Sequence, residues 1–162
     1  MPGVRDRFVS HPRFFLTTQH AAASESRAKA LLAARAALHK QAEDVVVLDV
    51  RALSSVTEFF VVCTADNVRQ LGAIADVVQE TLAQAGFAVG HIEGAASTPL
   101  IGKGPATMAP QWVLMDCGDL VVHVFDQPTR AFYRLEELWA DAPRIPLEQS
   151  SDAPPAGSVT AR

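Results

Sequence analysis

Two rhythms of apolar and polar positions run through this chain of 162 residues. From Asn67 to Phe87 the residues Val68, Leu71, Ile74, Ala75, Val78 and Leu82 recur at helical spacing, which predicts an amphipathic helix with one buried face. Asp66 or Asn67 is placed to cap its start, and Gly86 to supply the left-handed residue at its end. A second helix is predicted to open at Ser24, as its N-cap, and to run through SESRAKALLAARAALHKQ, a stretch of good helix formers. A third is predicted in PTRAFYRLEELWADA, with Pro128 suited to a first helical turn. There Phe132, Leu135 and Trp139 share a face expected to pack on a sheet, while Arg130, Tyr133 and Glu137 share another.

Between these helices lie short β-branched runs. VVVLDV, entered through Asp44, reads as a strand buried on both faces, and FFVVCTA as a second strand. FAVGHIEG is a third. WVLMDC and LVVHVF are joined through Gly118 and Asp119, a tight-turn pair that predicts a hairpin. The order is helix, strand, strand, helix, three strands, helix. It predicts a single α/β domain with a mixed sheet of about five strands flanked by helices. Residues 1–23 are expected to be a basic disordered extension, 24–146 the folded domain and 147–162 a disordered tail, with tail-like composition from Pro143 onward.

Charge changes this picture. Met1 to Lys40 carries seven Lys/Arg against two acidic residues, whereas Gln41 to Ala142 carries fourteen Asp/Glu against five Lys/Arg. So acidic a body repels phosphate backbones and attracts a basic protein, although the same charge also serves a merely solubilising surface. No apolar run approaches the roughly 18–20 residues that span a bilayer. The N-terminus lacks the continuous apolar segment of a secretory signal, and reads as a disordered extension or a weak organelle-targeting peptide. Cys63 and Cys117 each sit in an apolar run, as two buried thiols of a reducing cytoplasm or as a single disulfide.

Catalytic chemistry is hard to assemble. Asp116 and Asp119 flank a turn, where Asp commonly bonds turn backbone, and Asp49 ends a strand. A Mg-dependent nucleotidyltransferase-like enzyme would draw on these three carboxylates, but no Gly-Ser precedes a D-x-D pair. Gly102–Gly104 does not fit a phosphate loop and reads as a flexible loop. His123 lies in an apolar strand, where a packed histidine is the ordinary reading, and the five histidines are too scattered for a zinc site. No catalytic residue, metal or cofactor is expected.

Two stretches stand apart: EDVVVLDVRALSSVTEFFVVCTADNVRQLGAIADVV, and WVLMDCGDLVVHVFDQPTRAFYRLEELWADAPR. Their LDVRALSS connection, CTADNVRQ junction, W-V-L-x-D-x-G-D-x-V-V-H-V-F block and R-x-F-Y-x-L-E-x-L-W helix resemble the ribosomal silencing factor, or Iojap-like, family. The resemblance spans about Glu25 to Pro146. It implies a nucleotidyltransferase-like fold without catalytic residues. It implies binding to large-subunit ribosomal protein fourteen, on the face that meets the small subunit, and a steric block to subunit joining that represses translation when nutrients are scarce. Organelle relatives act in large-subunit assembly. A cytoplasmic location and a homodimer in the free state are further expectations. The stretch between Glu93 and Trp112 is longer than the family pattern.

The resemblance places Trp112 and Tyr133 at the partner interface. From the residues alone, Trp112 at a strand mouth is equally a core plug or an exposed anchor. Tyr133 is an aromatic on a polar helix face, a common hot-spot type. Thr64, Asp66 and Arg69 at the strand-to-helix junction, with Asp119 and Arg130, are expected to add polar contacts. His123 is expected to support the hairpin.

Overall fold

The computed structural model describes residues 13–94 and 111–148, with side chains described from residue 21. The elements run α1 (Arg13–His39), β1 (Glu43–Asp49), β2 (Phe59–Ala65), α2 (Val68–Gln84), β3 (His91–Glu93), β4 (Trp112–Asp116), β5 (Leu120–Asp126), α3 (Gln127–Tyr133), α4 (Leu135–Leu138) and β6 (Arg144–Ile145). The strands form one mixed sheet in the order β3-β4-β5-β2-β1-β6. Its centre is a parallel ladder, Phe59↔Leu120 through Ala65↔Asp126, and the other pairs are antiparallel.

Period-two alternation sends the sheet residues to two unequal cores. On one face Val47, Phe59, Val61, Cys63, Val113, Met115, Leu120, Val122 and Val124 pack beneath α1 and α2. The α1 residues Ala30, Ala33, Ala34 and Ala37 are wholly buried, and their small side chains let that helix lie close to its neighbours. From α2, Leu71, Ile74, Ala75, Val78 and Leu82 face inward as their spacing predicts. Asn67 is the residue that caps α2, accepting from the Gln70 N–H at 2.9 Å, and Gly86 takes φ +85° just beyond its end. On the other face Leu48, Val50, Phe60, Val62, Phe125 and Ala142 form a smaller core covered by Trp112, Leu135 and Trp139.

Several expectations are corrected. Helix α1 begins at Arg13, so Ser24 lies mid-helix and caps nothing. Strand β1 is buried on both faces only in its second half, where Val47 enters the larger core and Leu48 the smaller one, while Glu43 and Asp44 are exposed. Asp44 has φ +47° and the register slips between Glu43 and Val46, a bulge that lifts the strand's first half out of the pleat. The third strand shrinks to His91–Glu93. A sixth strand, Arg144–Ile145, pairs with β1 in what composition marks as tail. The C-terminal helix is broken at Arg134, whose φ and ψ of 47° and 51° are left-handed. Phe132 consequently stands 80% exposed instead of packing on the sheet. The long segment 95–110, including Gly102–Gly104, and the tail 149–162 lie outside the described residues.

The hairpin turn is tied to α1 by charge. Buried Lys29 donates to the Cys117 carbonyl at 2.5 Å and to Asp119 Oδ1 at 2.6 Å, and the Ser26 hydroxyl donates to Asp119 Oδ2 at 2.7 Å. Burial pushes the Asp119 carboxyl up, but the bonds from Lys29 and Ser26 outweigh it and leave it below the ordinary carboxylate value. Removing one partner of such a pair strands the other. Lys29→Met is therefore expected to lower stability by about 2 kcal/mol, read as a lower urea midpoint with unchanged slope.

Candidate partner-docking surface

The smaller core leaves one end of the sheet incompletely covered, and an aromatic ladder climbs out of it. Phe125, fully buried near the end of β5, stacks on Trp112 with ring centroids 4.8 Å apart and planes 28° apart. Trp112 opens β4 opposite Phe125 and is half-buried. Tyr133 lies over it at 5.0 Å and is 51% exposed. Phe132 meets Tyr133 edge-on at 5.1 Å. Trp112 thus plugs the smaller core, its inner side on Phe125 and its outer side under Tyr133.

His123 fixes the indole. The Trp112 Nε1–H donates to His123 Nδ1 at 3.2 Å, so the neutral ring carries its proton on Nε2. That Nε2 is buried without a partner among the described residues. Burial holds the His123 pKa down at about 4. His123 also meets Phe60 of β2 edge-on at 5.4 Å.

Tyr133 is presented by α3, whose start is set by local chemistry. Asp126 Oδ1 accepts from the Thr129 N–H at 2.9 Å, and Pro128 occupies the first turn. Its end is set by a nonlocal clamp. Arg130 Nη1 donates to Thr64 Oγ1 at 2.7 Å, and its Nε and Nη2 both donate to Glu136 Oε1. The ion pair is mostly buried, at 12% and 19% side-chain exposure, and it bridges the break at Arg134. Burial pushes the Glu136 carboxyl up, but Arg130 outweighs it and leaves it below its ordinary value. Thr64 and Arg130 are therefore turned inward.

Asp66 and Arg69 are exposed where β2 passes into α2, at the same end of the sheet as Trp112. They line a cleft of about 510 Å³ with Lys40, Glu43 and Gln70. Asp119 is not brought to this surface. It precedes β5, whereas Trp112 pairs with Phe125 near the end of that strand, a separation of about 20 Å along the chain.

The three carboxylates of the enzymatic alternative are each occupied by the protein itself. Asp49 is held below its ordinary value mainly by its bond to Arg51, with Nε–Oδ1 at 2.9 Å. Asp116 accepts from the Gly118 N–H at 2.9 Å, and Asp119 holds Lys29. Among the described residues no three metal-ligating side chains converge. Cys63 and Cys117 are buried and unpaired with each other, and burial pushes their thiols up to about 12 and about 11, which makes them poor nucleophiles. No helix among the described residues is long and apolar enough to cross a membrane.

A family model described as "Ribosomal silencing factor during starvation" matches residues 23–161. The chain belongs to this family. Relatives within it include the ribosomal silencing factor RsfS of Halalkalibacterium halodurans, 37% identical over 72% of this chain and 90% of that protein. That of Bacillus subtilis is 36% identical over 72% and 89%. The chloroplastic protein Iojap of Zea mays is 35% identical over 70% of this chain and 44% of its own length. Among solved structures, a crystal structure of a Chromobacterium violaceum protein is similar with TM-score 0.61 and 33% identity, covering 70% of this chain and 85% of that one. One from Bacillus halodurans is similar with TM-score 0.57 and 34% identity, covering 72% and 94%. Membership makes translation regulation and the ribosome the setting of this family. Sequence reasoning missed that Phe132 is exposed beside Tyr133 and that Glu136 holds Arg130. Arg130 and Glu136 stand six apart, a spacing that pairs no residues on a continuous helix, so no pattern marked them.

Acid should loosen the ladder. His123 binds a proton more readily in the unfolded chain, near 6.5, than in the fold, near 4. Its contribution is complete above the unfolded value and is lost as pH falls from 6.5 towards 4, by roughly 3 kcal/mol in all. Asn at 123 keeps an acceptor and removes the titration. Urea midpoints measured between pH 7 and 4 should therefore fall more steeply for the wild type than for His123→Asn. Paired carboxylates titrate in both proteins and cancel in the comparison.

Proposed function

We propose that this protein docks its open sheet face onto large-subunit ribosomal protein fourteen, on the surface that meets the small subunit. By occupying that surface it sterically blocks subunit joining and represses translation when nutrients are limiting. The observation that carries this reading is the Phe125–Trp112–Tyr133 ladder. Large aromatic area, rigidly backed from below and exposed above, is the usual composition of an interface hot spot. The relatives named ribosomal silencing factor supply the setting.

The acidic body suits a basic ribosomal protein. Fourteen Asp/Glu against five Lys/Arg between Gln41 and Ala142 speed encounter and disfavour direct RNA contact by this part of the chain. Asp66 and Arg69 supply polar contacts at the rim. Thr64 and Arg130 contribute through α3 instead of by touching the partner, and Asp119 serves the fold. The mechanism needs a shaped surface and no reactive group, so the protein acts in the cytoplasm as a regulator and not as an enzyme. A homodimer through the same apolar patch competes with ribosome binding, and a role in large-subunit assembly is compatible with the same contact.

Trp112→Ala and Tyr133→Ala should each weaken binding to the purified ribosomal protein by about 2 kcal/mol or more, roughly thirtyfold, in calorimetry. On sucrose gradients the wild-type protein should co-sediment with the large subunit alone and reduce joined ribosomes. Unchanged affinity in both variants with the fold intact, or absence from every ribosomal fraction, would count decisively against this function.

A further inference from the structure

The break at Arg134 has an unusual product. It turns Phe132 away from the sheet and leaves it 80% exposed beside Tyr133, 51% exposed. The two rings stand nearly perpendicular, 5.1 Å apart at 84°. With Gln111, Pro128 and Thr129 they line a shallow cleft of about 380 Å³. The rings touch edge to face, and Phe132, the more exposed of the two, presents its outward ring surface to solvent beside Tyr133.

Among the described residues, the chain's own cations leave these rings open. Arg130 is turned inward to Thr64 and Glu136, and Arg134 pairs with Glu137 at 3.7 Å. The cation–π contacts among the described residues, Lys29 over Phe87 and Arg51 over Phe59, lie elsewhere. The cleft's own lining is uncharged, and the stretch Gln41 to Ala142 that carries it has fourteen Asp/Glu against five Lys/Arg. A positive charge is drawn to this surface by the net field and is held at short range by the ring quadrupoles.

We infer that Phe132 and Tyr133 form a cation–π socket that takes a lysine or arginine side chain of the basic protein partner. The Arg130–Glu136–Thr64 clamp positions the socket by holding α3 and α4 at their break. This rests on the docking reading above and assigns to its interface a residue and a chemistry that the aromatic ladder alone does not supply.

The test uses the full chain and purified large-subunit ribosomal protein fourteen, with affinity read by calorimetry. Phe132→Ala and Phe132→Leu should both weaken binding about fivefold, because leucine keeps apolar bulk but has no π face. Replacing Phe132 by mono-, di- and trifluorinated phenylalanine should weaken binding stepwise as the quadrupole is drained at nearly constant shape. Equal urea midpoints across the series check that the fold is unchanged. A flat fluorine series, or wild-type affinity in Phe132→Leu, overturns the socket in favour of a plain apolar contact. Loss of self-association in Phe132→Ala with unchanged ribosomal-protein affinity overturns it in favour of a second copy of this chain. If the wild type does not bind the ribosomal protein, both readings fall. If Trp112→Ala weakens binding while the Phe132 series does not, only the socket falls.

Discussion

Seven residues of β2 pair in parallel with seven of β5, and every residue of β2 is buried. Such a ladder must be kept from water on both faces. Helices α1 and α2 cover one face completely, and the alanines of α1 let that layer close down tightly. The second face has only the short helices α3 and α4, of seven and four residues, and they cover it unevenly. The rest of the molecule follows from that imbalance. Where the covering is thin, large aromatics take its place, and Trp112 becomes a lid on Phe125 whose outer side still meets solvent.

The two ends of the ladder are finished differently. At the hairpin end, charge closes the structure: Lys29 with Asp119, and Arg51 with Asp49. These ion pairs tie the helix and the strand end to the turn, beside Thr57 Oγ1 and Glu58 Oε2, which are buried without a partner among the described residues. At the other end the finishing is aromatic, with His123 holding the Trp112 indole from beneath and Arg130 holding α3 from the side. A neutral, buried histidine fixes the indole without adding a charge to the surface. A buried ion pair spent on a helix break is costly in desolvation, so it is better explained by the shape it imposes than by stability alone. The shape is an exposed aromatic pair on an acidic protein, which is a surface suited to a cationic partner.

Much of this was legible before any coordinates. The α2 repeat, the central strands and the Gly118–Asp119 hairpin are written in local periodicity, because side-chain direction within a helix or strand is set by that element's own geometry. The placement of Trp112 and Tyr133 at an interface came from the family resemblance, and the structure brings the two rings together. Elements whose outcome depends on distant groups were misread. Ser24 has the chemistry of a cap, but the helix continues through it to Arg13. Phe132 shares helical spacing with Leu135 and Trp139, but the helix between them is broken.

The chain's own pattern therefore determined the class of fold, the order of its major elements, the buried face of α2 and the acidic character of the body. Only the tertiary structure decided where α3 ends, which aromatics surface, and whether Arg130, Thr64 and Asp119 face a partner or the protein itself. The reason is physical. Arg130 bonds Thr64 across 66 residues of sequence, and Lys29 bonds Asp119 across 90. Hydrogen bonds of that span outweigh local helical preference, which is worth less than about 1 kcal/mol per residue, and no local periodicity records them.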